Sequence, residues 1–309
     1  DFDPNQRKKI TDKTFINRVT KGVYEFGSVF KTFTLAAAFD DEIIEPESKF
    51  KDLPKTLTCA GFPIREYDNK IPSTLSAEQI LIRSGNIGSV KIGQMVGEDK
   101  FKSFLSKVDI LQKTNFDIEE IGTPIKFNWG KCPLATASFG HGITTTLLQL
   151  AKAYSIIANG GYNIQPTLIK EKKKFKKKRI LNQEVSKKIL PILRKIVTTK
   201  EGTASLANVS GYEIGGKTGT AQKSVNGVYT KKKINSFISV FPTSKPKFVL
   251  AIMLDEPKTN EDYIYHYRDG SNIKYKGTPY NTSGWTTVEV TGQIIEKIGP
   301  ILATKYSEK

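Results

Sequence analysis

Apolar residues fill the stretch Val29-Phe30-Lys31-Thr32-Phe33-Thr34-Leu35-Ala36-Ala37-Ala38-Phe39 until Asp40-Asp41 ends it. Its Ala and Leu content predicts a buried helix that begins at or near Ser28. Shorter helical patterns follow over 76–83, 87–96 and 99–108, so the middle of the chain reads as mainly helical. After Thr144, residues Leu147, Leu150, Ala151, Tyr154 and Ile157 recur at helical spacing until Asn159-Gly160-Gly161 stops the run. Asn182 is placed to cap a helix through Ile189, Leu190 and Leu193 to Ile196, with Pro191 expected to kink it. The period then changes. Residues 213–223, 234–241 and 247–254 read as strands separated by Asn226-Gly227 and by the Pro-rich 242–246, a run of antiparallel hairpins. A last helix is expected over 286–298, with Pro300 near its end. Without an internal repeat or a linker, the 309 residues predict one α/β unit with a mainly helical insertion at about 41–160.

Composition narrows the class. Hydrophobic residues make up 38% and charged residues 26%, the balance of a soluble globular protein. No apolar run approaches the roughly 20 residues that span a bilayer. The opening Asp1-Phe2-Asp3-Pro4 has no initiator Met and no signal-like region, so the chain reads as a piece of a longer one. Cys59 and Cys132 are too few for a disulfide framework and lack metal-ligand spacing, and both read as incidental. Only His141 and His266 are present, which argues against His-rich metal catalysis, and His141 in Ser138-Phe139-Gly140-His141-Gly142 reads as a loop residue or a support to the site rather than a general base. The formal charge of +17 invites a polyanion, but much of the excess sits in the run from Lys172 to Arg179, which a hairpin tip would place in solvent. No nucleic-acid-binding signature accompanies it. Neither a nucleic-acid partner, a metal nor a cofactor is expected.

Three short motifs carry chemistry: Ser28-Val29-Phe30-Lys31, Ser84-Gly85-Asn86 and Lys217-Thr218-Gly219-Thr220. Each is weak alone. Ser-x-x-Lys recurs at Ser48/Lys51, Ser244/Lys247 and Ser271/Lys274, and Ser-x-Asn at Ser224/Asn226. Context separates them, because only Ser28 opens an apolar helix and Lys-Thr-Gly occurs once, within a strand-like segment. Ser28 by itself could be a helix cap, and Asn86 by itself an ordinary loop asparagine.

The physics of the set is that of an activated serine. Ser28 at a helix start feels the positive end of the dipole, and Lys31, one turn on, projects from the same face. For Lys31 to act as base its pKa must fall from ~10.4 to about 7, a differential cost of roughly 4 to 5 kcal/mol. A second ammonium at ~4 Å would supply about 4 kcal/mol at an effective dielectric of 20, and Lys217 is the candidate. Burial would add to the shift. Ser84 can relay a proton from Lys31 to a leaving amine, and Asn86 can bond Lys31 and a substrate amide. Lys217, Thr218 and Thr220 suit a substrate carboxylate, and Gly219 lets a peptide approach the strand edge. The backbone N–H groups of Ser28 and Thr220 would form an oxyanion hole.

The motif set, in this order, resembles the class B penicillin-binding proteins, and within them the division-specific septal peptidoglycan D,D-transpeptidases of penicillin-binding protein 3 type. Asn17-Arg18-Val19-Thr20 leading to Gly22-Val23-Tyr24-Glu25-Phe26-Gly27-Ser28 is similar to that family's lead-in, although Phe26 stands where proline or methionine is more usual. The segment from Ser138 to Ile143, Leu148-Gln149-Leu150-Ala151 and the closing Ser283-Gly284-Trp285 extend the resemblance over most of the chain. It implies a penicillin-binding, serine transpeptidase-like fold: an antiparallel sheet flanked by helices, with an all-helical subdomain and the active site between them. Further implications are stem peptides and β-lactams as ligands, a periplasmic site on a protein with an N-terminal membrane anchor, and a septal glycosyltransferase and other divisome proteins as partners. Family members have passed through two sheet strands before the point where Asp1 stands, so the sheet is expected to be incomplete. The alternatives are a serine β-lactamase, against which the class A Glu-x-x-Leu-Asn signature is absent between Ser84 and Lys217, and an antibiotic-sensing module that is acylated without turnover.

Overall fold

The computed structural model describes Asn5 and residues 15–170, 178–225, 228–277 and 280–306. Strand β1 (Val23–Tyr24) leads into a 3-10 turn, Gly27–Phe30, which α1 (Lys31–Asp40) continues without a break. Every residue from Lys31 to Phe39 is buried. A helix enclosed on all sides belongs at the centre of a domain, and α1 packs against helices of both parts of the molecule described below.

The short strands β2 (Lys49–Phe50), β3 (Thr56–Cys59), β4 (Phe62–Arg65) and β5 (Leu75–Ser76) pair as β2 with β5 and β3 with β4. The helices α2 (Ala77–Ile82), α3 (Asn86–Val96), α4 (Glu98–Lys107) and α5 (Lys131–Ala137) follow. Ser76 and Gln79 cap α2 reciprocally, and the first turn of α4 carries Glu98 and Asp99 while its last carries Lys107, as the helix dipole favours. Cys59 and Cys132, read from the sequence as incidental, form a disulfide with Cα atoms 5.6 Å apart. Their 73-residue separation hides the pairing, which depends on the end of β3 being folded against the start of α5.

Strand β6 (Thr145–Thr146) pairs with β1, and α6 (Leu147–Ala158) starts only after it, with Thr146 and Gln149 as its capping box. The helix expected from Thr144 is thus delayed by a strand pairing that local periodicity cannot register. Helix α7 (Gln183–Thr198) is capped by Asn182, whose side chain accepts from Glu184 N. It runs on through Pro191, which is exposed, so the unpaired carbonyl one turn back can turn to water. Of the lysine run, 172–177 lies outside the described residues; beside it Tyr162 bridges Arg179 antiparallel.

The main sheet is β7 (Gly215–Val225), β8 (Val228–Phe241) and β9 (Phe248–Asp255), in that order and antiparallel throughout. Strand β8 begins six residues before the apolar run that predicted it, through the lysines 231–233, whose charge masks the alternation. The minor strands β10 (Ile264–His266) and β11 (Lys274–Lys276) pair with each other, and α8 (Thr287–Tyr306) continues past Pro300. Helix α7 packs along β7, with α6 beside it, and α8 covers β8 and β9. The faces follow from alternation along the strands. Gly215, paired with Val240, lies against the backbone of α7 at Leu193 and Arg194, whereas Asn235 reaches Thr286 at the start of α8. The fold is that of helices flanking an antiparallel sheet, as the resemblance implied. None of the described helices is long and apolar enough to cross a membrane.

Candidate active site

The turn that carries Ser28 is held from three sides. Gly27 has φ 58°, and a side chain there would stand 2.9 Å from Thr220 O, so only glycine lets β7 close on the turn. A side chain on Gly140 would run into the carbonyl of Gly27. From behind, Tyr154 Oη reaches Val29 O at 3.0 Å and Thr32 Oγ1 at 2.9 Å. Burial pushes the Tyr154 phenol well above its usual range, so it serves as a neutral hydrogen-bonding post. Ser28 itself is half-buried at the surface of this frame, and its hydroxyl makes no hydrogen bond among the described residues.

Ser84 stands between α2 and α3 with φ 57°, a left-handed conformation that costs a non-glycine residue about 1 kcal/mol or more. The bend turns both its carbonyl and its hydroxyl toward the lysines. Lys31 Nζ donates to Ser84 O at 2.5 Å, Ser84 Oγ at 3.2 Å and Asn86 Oδ1 at 2.7 Å. Lys217 Nζ donates to the same Ser84 Oγ at 2.9 Å and to Thr218 O at 3.2 Å. The direct Lys31 to Ser28 contact expected from helix geometry is not among these bonds. An ammonium that is only 1% exposed needs an acceptor for each of its three protons, and Ser84 with Asn86 provides all three.

Burial pulls Lys31 down to about 7, with the Glu66 carboxylate opposing the shift. Burial also pulls Lys217 well below its ordinary value, and the charge on Lys31 adds to the effect. The sequence reading gave the larger share to the second ammonium; in the folded protein desolvation leads for both lysines.

The outer edge of β7 faces this cluster. A side chain on Gly219 would stand 2.1 Å from Phe26 O and 2.7 Å from Ser236 Oγ. Thr220 O lies over Gly27, and because a strand residue directs its N–H and C=O to one side, the Thr220 N–H lies on the same edge, which pairs with no other strand among the described residues. Thr218 Oγ1 is 2.7 Å from Thr203 Oγ1, and Thr220 Oγ1 is 3.0 Å from Ser283 Oγ. The Ser283 hydroxyl also bonds Gly219 O and accepts from Ser236 N at 3.2 Å, pinning the strand from α8's side.

The fold thus brings together Ser28, Lys31, Ser84, Asn86, Lys217, Thr218, Gly219 and Thr220, and leaves the rival motifs elsewhere. Ser48 Oγ accepts from Glu45 N in a turn, Ser244 bonds Glu213, and Ser271 follows Asp269 in a loop. His141 is exposed and stacks between Phe139 and Tyr229 at centroid distances of 6.0 and 4.6 Å. Sequence reasoning missed Tyr154, Glu66 and Thr203. Tyr154 looked like one more apolar helical position, and Glu66 and Thr203 lie in no pattern. Among the described residues no group of His, Cys, Asp and Glu is placed to hold a metal.

The family model described as the penicillin-binding protein transpeptidase domain matches residues 1–271. A probable peptidoglycan D,D-transpeptidase FtsI of Caulobacter vibrioides is 28% identical over 99% of this chain and 51% of its own length. A probable peptidoglycan D,D-transpeptidase PenA of Neisseria flavescens is 32% identical over 85% of this chain and 65% of its own. The chain therefore spans about half to two thirds of these relatives. The apo transpeptidase domain of Burkholderia pseudomallei penicillin-binding protein 3 superposes with a TM-score of 0.78 at 26% identity, covering 94% of this chain and 82% of that one. With that family model matched over residues 1–271 of its 309, the chain belongs to the penicillin-binding protein transpeptidase family.

Proposed function

We propose that the chain is the catalytic domain of a serine D,D-transpeptidase that cross-links peptidoglycan stem peptides, and that β-lactams acylate it at Ser28. The observation that carries this reading is the convergence of two buried lysines, Lys31 and Lys217, on the single hydroxyl of Ser84 beside the Ser28 turn. Even one fully buried lysine is rare in a folded protein. Two sharing one acceptor are costly, and a site that loads or unloads a proton explains why the fold tolerates them.

In this reading Lys31, neutral above about pH 7, accepts the Ser28 proton as Oγ attacks the carbonyl of the penultimate D-alanine. The C–N bond to the terminal D-alanine breaks, and the leaving amine takes a proton through Ser84. The amide groups of Ser28 and Thr220 hold the developing oxyanion, which the edge position of Thr220 supports. The terminal carboxylate of the donor peptide lies near Lys217, Thr218 and Thr220, and its charge favours the protonated form of Lys217. The donor peptide pairs next to Gly219 along the outer edge of β7, which no strand of the described residues occupies. Lys31 then deprotonates the amine of the acceptor stem peptide, which displaces Ser28. The whole protein is read as acting at the septum on the periplasmic side of the membrane with a glycosyltransferase and other divisome proteins, and residues from about 41 to 160 as its helical subdomain.

The test is a D-alanyl thioester analogue of the donor, given with and without a D-amino acid acceptor. Acyl transfer to the amine in preference to water supports a transpeptidase. Fast hydrolysis that the acceptor leaves unchanged would favour the β-lactamase-like alternative.

A further inference from the structure

Helix α3 begins at Gly85-Asn86, and its N-cap, Gly85, has no side chain to satisfy the first amides. That work is done from outside the helix. Glu66, the residue after β4, accepts from Asn86 N at 2.6 Å through Oε2 and from Ile87 N at 3.0 Å through Oε1. Its neighbour Arg65 accepts from Asn86 Nδ2 at 2.7 Å through its carbonyl. With the amide nitrogen engaged there, Asn86 has one way to face, and its Oδ1 meets Lys31 Nζ at 2.7 Å. The hairpin that delivers Arg65 and Glu66 is tied to α5 by Cys59–Cys132.

Glu66 also answers an electrostatic need. Lys31 and Lys217 are essentially inaccessible, and the acceptors described around them are hydroxyl, amide and carbonyl oxygens. The half-buried Glu66 carboxylate is the acid whose field acts on Lys31. The other ionisable groups around Glu66 make their hydrogen bonds elsewhere, although Glu66 also acts on the Tyr67 phenol, whose pKa burial and then Asp68 raise more strongly. Tyr67 Oη donates to Arg83 O at 3.1 Å, Arg83 pairs with Glu201 at 3.1 Å, Asp68 accepts from Lys70 N, and Arg65 is exposed.

We propose that Glu66 is a positioning residue for acylation: through the start of α3 it orients Asn86 toward Lys31, and it places a carboxylate on the far side of Asn86 from that lysine. The proposal rests on the acyl-transfer reading above. A plain helix cap would affect folding alone. Glu66 in this role affects the pH at which Ser28 reacts.

The experiment measures the second-order rate of acylation by a fluorescent penicillin from pH 5 to 9 for wild type, Glu66→Gln and Glu66→Asp, with thermal unfolding alongside. Loss of the charge lets the pKa of Lys31 fall, so the acid limb of the Glu66→Gln profile is expected to move down by about half to one pH unit. Its plateau is expected to drop roughly tenfold as Asn86 loosens. Glu66→Asp keeps the charge and should leave the limb in place, with a lower plateau. The limb midpoint belongs to the molecules that react, so partial unfolding lowers the plateau without moving the midpoint. An unmoved limb in Glu66→Gln, or an equal downward shift in Glu66→Asp, overturns the proposal alone. A wild-type chain that takes no adduct would overturn the functional reading and this proposal together.

Discussion

Lys31 and Lys217 donate to one oxygen, Ser84 Oγ, from 3.2 and 2.9 Å. A hydroxyl has two acceptor positions and one proton, so two donors fill its lone pairs and leave its own O–H to point elsewhere. In the proposed mechanism that proton goes to the leaving amine. Ser84→Ala should therefore slow acylation by roughly 10² to 10³, measured with a fluorescent penicillin, while near-UV circular dichroism stays native. A rate within threefold of wild type would remove Ser84 from the chemistry.

The depressed Lys31 sets a pH dependence whose sign can be worked out. Acylation requires the neutral amine, so its rate should rise about tenfold per unit below pH 7 and level off above it. Stability changes in the same direction. Between about 7 and 10.5 the unfolded chain holds a proton on Lys31 that the folded chain does not, so stability rises with pH across that window, by about 4 to 5 kcal/mol in total. Lys31→Met should remove the Lys31 share of this slope and leave the share of Lys217, which burial also lowers, so urea midpoints at pH 7 and pH 9.5 should differ less in the variant than in wild type.

Gly219 tests how closely the strand must approach. A Cβ there would stand 2.1 Å from the carbonyl of Phe26, a backbone atom that cannot swing aside. Gly219→Ala should displace β7 from the Ser28 turn and reduce acylation by about 100-fold, since a shift near 1 Å is enough for that. The effect should appear in the acylation rate more than in the melting temperature.

The disulfide predicts a separable stability effect. Joining residues 73 apart restricts the unfolded chain by about 4 kcal/mol in the chain-entropy picture, and measured effects are commonly smaller. Replacing both Cys59 and Cys132 with serine should lower the urea midpoint measurably. A midpoint unchanged from wild type, with and without reductant, would show that the pairing contributes nothing to the folded state.

Local pattern and motif context carried much of this protein. The helix behind Ser28, the capped helices from Ser76 onward and the β-rich segment after Glu213 were legible because each announces itself within a dozen residues. What stayed hidden depended on distance. Cys59 finds Cys132, Glu66 finds Asn86, and Thr145–Thr146 pairs with Val23–Tyr24 only once the chain has folded. The orientation of Lys31 belongs to the same group. Its spacing from Ser28 suggested a direct contact, but Ser84 and Asn86, more than fifty residues away, offer the better set of acceptors.

The central claim is that Ser28 is acylated and then holds its acyl group against water. The most direct measurement is intact-mass spectrometry of the chain mixed with penicillin, followed over hours and mapped by peptide digestion. One adduct per chain is expected, on the peptide containing Ser28, forming in a burst and released far more slowly than the ~10 per second of a median enzyme. It should be absent in Ser28→Ala. Labelling at Ser48, Ser244 or Ser271, or rapid multiple turnover of penicillin by the wild-type chain, would contradict the account.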